Sequence, residues 1–142
     1  MESAATTSLL RLAWLLSITA VIIGSVLPAQ TGFMQLIDSS HVNDKVEHFS
    51  SYAVLGALPV LRRFRTRRPF ALLAFACVLG GMLELIQIIS PGRSCDWRDF
   101  AADCLGVAAG AFLVHVLQRA SGAFVNPASA PLADQPRPAG RR

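Results

Sequence analysis

Charge is scarce in this chain. Only 15% of its 142 residues are Asp, Glu, Lys or Arg, against roughly 25% in a soluble globular domain. With 53% hydrophobic residues and a mean hydropathy of +0.47, this shortage argues against an ordinary water-soluble domain and points to a small integral membrane protein. The length allows one domain. Cysteine is equally sparse. Cys77, Cys95 and Cys104 form an odd set without a CxxC pair, which excludes a disulfide framework and zinc-finger spacing. No GxSxG and no HExxH is present, so the chain lacks the nucleophile elbow of one hydrolase class and the zinc helix of a metalloprotease. Ser50 and Ser51 near His48 are a weak nucleophile signal, and the catalytic residues, if any, are unknown at this level. The net charge of +4 would suit nucleic acid, but the basic residues are divided among membrane-flanking segments, and no nucleic-acid partner is expected.

What the chain does have is four apolar runs. They predict an all-α fold, an integral membrane bundle of four transmembrane helices, with spans at about 9–27, 44–61, 70–89 and 100–117. The first run, 12–27, stops at Pro28; with Leu9, Leu10 and Arg11 it is about 28 Å long at ~1.5 Å per residue, enough to cross a bilayer. A signal peptide fits it less well: only Arg11 precedes the run and no small-residue cleavage site follows, so an uncleaved helix is expected. The second run is short and needs extension back through Asp44. Asn43 or Ser40 would cap it, Asp44 and Glu47 suit its first turn, and Pro59 would kink its far end. The third run is interrupted only by Gly80, Gly81, Glu84 and Gln87. In the fourth, Asp99, Asp103, Gly106 and Gly110 form one stripe, and the Gly106/Gly110 spacing allows close approach of a neighbouring helix. His115, near its end, reads as interfacial. Residues 1–119 are thus one membrane domain. Residues 120–142, rich in Pro, Ala and Gly, read as a disordered cytoplasmic tail.

Five arginines in the seven positions 62–68 mark the cytoplasmic side by the positive-inside rule. Both termini then fall in the cytoplasm. Asp44, Lys45, His48, Glu84, Gln87, Arg93, Asp96, Asp99 and Asp103 all gather at the opposite, outer end. Asp44, His48 and Tyr52 follow one another at four-residue steps and share a helix face. Intramembrane carboxylates are costly and are by default a functional-site hypothesis. Several readings stand side by side. The cluster is a structural clasp, with Glu84 and Asp103 paired to Arg93 or His48. It is a binding site in which Lys45, Arg93 and Arg98 hold an anionic or polar head group. It is an acid–base site built on a carboxylate pair and His48. A metal at His41, Asp44 and His48 would suit a hard or borderline ion, but two histidines seven apart on a helix are more often mere neighbours, so neither metal nor cofactor is expected.

The chain resembles the VanZ-like family of small membrane proteins over residues 12–117. The resemblance is carried by Leu27-Pro28, by Asp44-Lys45 followed by His48, Phe49, Tyr52, Leu55 and Gly56, by Glu84 and Gln87, and by Arg93, Asp96-Trp97, Asp99, Asp103, Gly106 and Gly110. At Asp103 the family often carries Asn, and Asp adds a charge there. The resemblance implies a four-helix fold in a bacterial cytoplasmic membrane. Its name-giving member is associated with low-level resistance to teicoplanin, a glycopeptide acting on cell-wall precursors, so an envelope role is implied. The expectation is a polar site at the outer face that binds an envelope lipid or cell-wall component. The alternatives are a membrane enzyme acting on such a substrate or a structural partner subunit, and the oligomeric state is left open.

Overall fold

The computed structural model describes residues 2–28, 30–32, 43–64, 66–90 and 94–124. These residues are all-α: α1 is Glu2–Val26, α2 Asp44–Val60, α3 Pro69–Gln87 and α4 Trp97–Phe124, with a 3₁₀ turn over Arg62–Phe64 between α2 and α3. Three stretches are long and apolar enough to cross a membrane: Ala4–Val26, Pro69–Gln87 and Trp97–Ser121. At 17 residues α2 is about 26 Å long at ~1.5 Å per residue, shorter than a standard span.

The helix ends follow local chemistry. The Asn43 side chain accepts the Lys45 N–H at 3.0 Å and caps α2. Pro69 opens α3, where its missing N–H would be unpartnered anyway. Asp96 caps α4, its carboxylate accepting the Arg98 N–H at 2.9 Å. Two boundaries differ from those expected. α1 begins at Glu2, because the Ala-rich start is a good helix former despite its low hydropathy. α4 runs on to Phe124, so its last turns lie within the segment expected to be tail. No proline interrupts it before Pro127, and the Ser121 hydroxyl donates back to the Leu117 carbonyl at 2.8 Å. Residues 125–142 and the 33–42 connection, with Asp38 and His41, lie outside the described residues.

Polarity is distributed as a lipid solvent requires. Leu9, Leu16, Val78, Leu105 and Phe112 point outward, whereas Glu84, Gln87, Asp99 and Asp103 are buried. Hydrocarbon tails solvate leucine, and ionisable groups must find partners inside the bundle.

The most extensive packing joins α2 to α4, which run in parallel with their N-termini at the same end. Glycine makes it possible. A Cβ on Gly106 would overlap the Phe49 carbonyl, one on Gly110 the Ala53 carbonyl, and one on Gly56 the Val107 carbonyl. The spacing expected to admit a neighbour therefore admits α2. At the far end the Gln118 amide donates to the Val60 carbonyl at 3.2 Å.

α1 is held differently. Pro59 has no N–H to give the Leu55 carbonyl four residues earlier, and the Trp14 indole N–H donates to that carbonyl instead, at 3.1 Å. Trp14 also meets Phe64 edge-on at a centroid distance of 6.2 Å. Around it lie Tyr52, Leu55, Ala76 and Val107, the buried centre of the bundle. Pro59 thus serves both to end α2 and to expose an acceptor for α1.

Candidate functional site

The parallel seam sets the register of the site. With Phe49 against Gly106 and Ala53 against Gly110, the first turns of α2 and α4 stand side by side, and their polar residues must meet. Lys45 Nζ reaches Asp96 Oδ2 at 3.1 Å and Asp99 Oδ1 at 2.5 Å. This ion-paired trio forms the outer layer. The Arg98 backbone N–H, and next the Lys45 ammonium, hold the Asp96 carboxyl below the usual carboxylate range.

One turn deeper, His48 Nδ1 lies 2.9 Å from Asp103 Oδ1. Its Nε2 faces Asp44 Oδ1 at 4.0 Å. Asp103 is only 1% exposed, and a glycine makes room for it: a Cβ on Gly80 would stand 2.6 Å from Asp103 Oδ2 and 3.2 Å from the Tyr52 ring. Glu84, one turn along α3 from Gly80, accepts the Asp96 backbone N–H at 3.0 Å. That bond ties the end of α3 to the start of α4. Among the described residues no Lys or Arg ion-pairs with Glu84 or Asp103.

Two buried polar side chains stand apart from these networks. Tyr52 is 2% exposed and Gln87 4% exposed, and among the described residues neither the phenol nor the side-chain amide has a hydrogen-bond partner. Both line a cavity of about 580 Å³ between α1, α2 and the end of α3. Ala20, Val21 and Gly24 of α1 supply one wall, and Asp44, Glu47, His48 and Ser51 of α2 the other. A buried amide without a partner is costly, so the cavity is chemically unsatisfied at that point.

Nine of the ten residues singled out from the sequence therefore come to one end of the bundle: Asp44, Lys45, His48, Tyr52, Glu84, Gln87, Asp96, Asp99 and Asp103. The tenth, Arg93, lies outside the described residues. Of the two counter-charges expected for the clasp, His48 meets Asp103, and Lys45, expected to hold a head group, is taken by Asp96 and Asp99. The Arg98 guanidinium lies over the Trp97 ring at 5.8 Å. The Ser50 hydroxyl donates back into its own helix, to Val46 O at 2.6 Å. Sequence reasoning missed Gly80, whose place four residues before Glu84 on the same face was the available signal. It also missed the α1 wall, whose small residues look like any others in an apolar run.

A helical membrane protein with a two-layered acidic cluster at one end of its bundle, opening on a groove walled by its first helix, is the class these features define. Residues 6–118 match the VanZ/LLP1 family model, and the chain belongs to that family. No curated protein and no solved structure matches it.

Proposed function

We propose that this groove receives the head group of an envelope lipid or lipid-linked cell-wall component, with the chain of that lipid leaving between α1 and α2. The carrying observation is the pair of buried donors, Tyr52 and Gln87, which have no hydrogen-bond partner among the described residues and face a cavity of about 580 Å³. That volume lies in the range of small-molecule sites, roughly 300–1,000 Å³. The α1 wall is mostly apolar, with Ser17 and Ser25 among its residues, and the facing side carries hydroxyl, amide, imidazole and carboxylate groups, as an amphiphile requires. Because Lys45 is engaged by Asp96 and Asp99, the groove favours a head group rich in hydroxyls or amides over one held by charge alone. An anionic head group would depend on Arg93. If the ligand is a cell-wall precursor, altered tolerance of glycopeptide-type antibiotics follows from sequestering or moving it.

In this reading the protein sits in a bacterial cytoplasmic membrane with four spans and both termini inside. α2 crosses with the others because it is packed along α4 throughout its length. The arginine loop lies in the cytoplasm and the site at the outer face. Reporter fusions after Arg68 and Arg119 should report cytoplasm and a fusion at Ser94 the outside; a cytoplasmic Ser94 would overturn the placement.

A second reading, an enzyme, is favoured by one observation. Asp103 holds His48 Nδ1 at 2.9 Å, which leaves Nε2 beside the groove as a base oriented by a carboxylate. Native mass spectrometry of the purified protein tests the binding reading. A lipid adduct should accompany the wild-type chain and fall at least about tenfold in Gln87→Leu, which removes the donor without charging the site. A wild-type chain without adduct, or an adduct indifferent to Gln87, would defeat it.

A further inference from the structure

We propose that His48, Glu84 and Asp103 form a binding site for one divalent transition ion, Zn²⁺ or Mn²⁺, beneath the outer ion-paired layer. The three residues come from three helices, α2, α3 and α4, and each offers a ligand atom within 4.8 Å of the others. Atoms bound to one ion at ~2.1 Å stand about 3.4 Å apart in a tetrahedral arrangement, and at most about 4.2 Å apart when they face each other across the ion in a larger shell, so small side-chain rotations close the set. One imidazole and two carboxylates make a mixed nitrogen and oxygen set that suits borderline Zn²⁺, or carboxylate-preferring Mn²⁺, over soft Cu⁺.

The charge balance points the same way. Glu84 is 3% and Asp103 1% exposed. Their side-chain hydrogen-bond partners among the described residues are one backbone amide and one imidazole. The nearby ammonium, Lys45, belongs to the layer above. Two carboxylates taken out of water need positive charge, and buried charges are paired or coordinate metals. Gln87, next on the same face of α3 and 4% exposed, keeps its amide free towards the groove that His48 also lines. It is placed to hold a water on the ion or to complete its shell.

The histidine is prepared for this role on both sides. The ion takes the place of the proton between Nδ1 and Asp103 Oδ1. The remaining N–H is then on Nε2, facing Asp44 Oδ1 at 4.0 Å, beyond hydrogen-bond length; rotation of the exposed Asp44 side chain would complete the carboxylate–histidine–metal arrangement that orients many metal-bound imidazoles. No net proton leaves a neutral imidazole in this exchange; one leaves to solvent from an imidazolium or a protonated carboxyl. Gly80 belongs to the design, because its missing Cβ leaves Asp103 the space to turn.

This inference goes beyond the lipid-binding reading and does not rest on it. The test uses the full-length, untagged chain, stripped with chelator in lipid-free detergent, so that failure of the lipid reading leaves its outcome intact. Titration with Zn²⁺ and with Mn²⁺, read by calorimetry and by metal analysis after desalting, should give one ion per chain for at least one of the two. Glu84→Gln and Asp103→Asn should each weaken binding at least about 100-fold, and Asp44→Asn, which leaves all three ligands in place, about tenfold. A chain with Cys77, Cys95 and Cys104 all changed to Ser should bind as the wild type does. Binding below one ion in two chains for both metals overturns the proposal. So does binding that survives Glu84→Gln and Asp103→Asn, or binding lost with the cysteines. If the carboxylate variants do not fold, Co²⁺ absorption of the wild-type chain decides: visible bands of nitrogen and oxygen ligation, bleached by Zn²⁺, support the site, and a thiolate charge-transfer band or no band overturns it.

Discussion

The seam between α2 and α4 and the contact between α1 and α2 hold the same helix by different means. Along α4, three glycines bring backbone against backbone, and Lys45 and His48 close the top with carboxylates from the facing helix. Along α1 the anchor is an indole reaching the carbonyl that Pro59 leaves without a partner. Above that point Ile18 and Val21 still reach the core, but the packing is incomplete, and the cavity opens beside Ser17, Ala20, Val21 and Gly24. Only 6% of the apolar stretch of α1 is buried, against 22% for α4. Backbone-to-backbone packing fixes a register; α1 is held through side chains along one edge, Trp14 with Leu10, Ile18 and Val21, and most of its surface is left to lipid. The rigid seam is suited to holding a site together, and the loosely applied helix to admitting a ligand from the side.

The seam should therefore fail hardest. Gly110→Val places branched carbon where the Ala53 carbonyl now lies, and neither backbone can yield without losing the register. We expect a loss of about 3 kcal/mol or more, read by unfolding in mixed detergent. A change within about 1 kcal/mol of wild type would show that the two helices can separate freely, since overpacked sites rarely cost less.

Trp14→Phe probes the other contact and should cost less. It keeps the apolar ring near Phe64 but leaves the Leu55 carbonyl unpartnered, an expected loss of about 1–3 kcal/mol. Hydrogen exchange should rise across α1 while α4 keeps its protection. Equal loosening of both would mean that α1 is part of the seam's cooperative unit.

The smallest effect concerns the outer layer. The folded Asp96 carboxyl lies below its ordinary range, so its contribution to stability is complete above the unfolded value of about 3.9 and is lost as the pH falls through the folded value. Asp96→Asn keeps the cap for α4 and removes the charge. The melting temperatures of wild type and variant should differ slightly at about pH 6 and converge as the pH is taken well below about 3.9, the ordinary value of an aspartate. A constant difference across that window would assign the effect to the cap.

The sequence made the helices legible because membrane solvent imposes a crude rule, long apolar runs with charged joints, that needs no partner to be read. It located α2, α3 and the body of α4 closely. It missed the helical start of α1 and the last turns of α4, where helix propensity and hydropathy diverge. The four-residue steps from Asp44 to His48 and from Asp99 to Asp103 put the right residues on the right faces, and the arginine loop implied that these faces share an end. Pairing was another matter. Sequence offered Arg93 or His48 for the buried carboxylates without choosing between them, and only the register of the glycine seam gave Asp99 to Lys45 and Asp103 to His48. The use of Pro59 as a source of an acceptor for Trp14, the space at Gly80 and the lack of a partner for Gln87 among the described residues likewise depend on which neighbour stands within a few ångströms. By itself the sequence determined the solvent, the helices and the end at which charge collects, because these follow from composition and period along one chain. The tertiary structure decided which carboxylate meets which base, which polar groups remain unsatisfied and where the bundle opens, because those depend on distances between helices that no spacing within a helix contains.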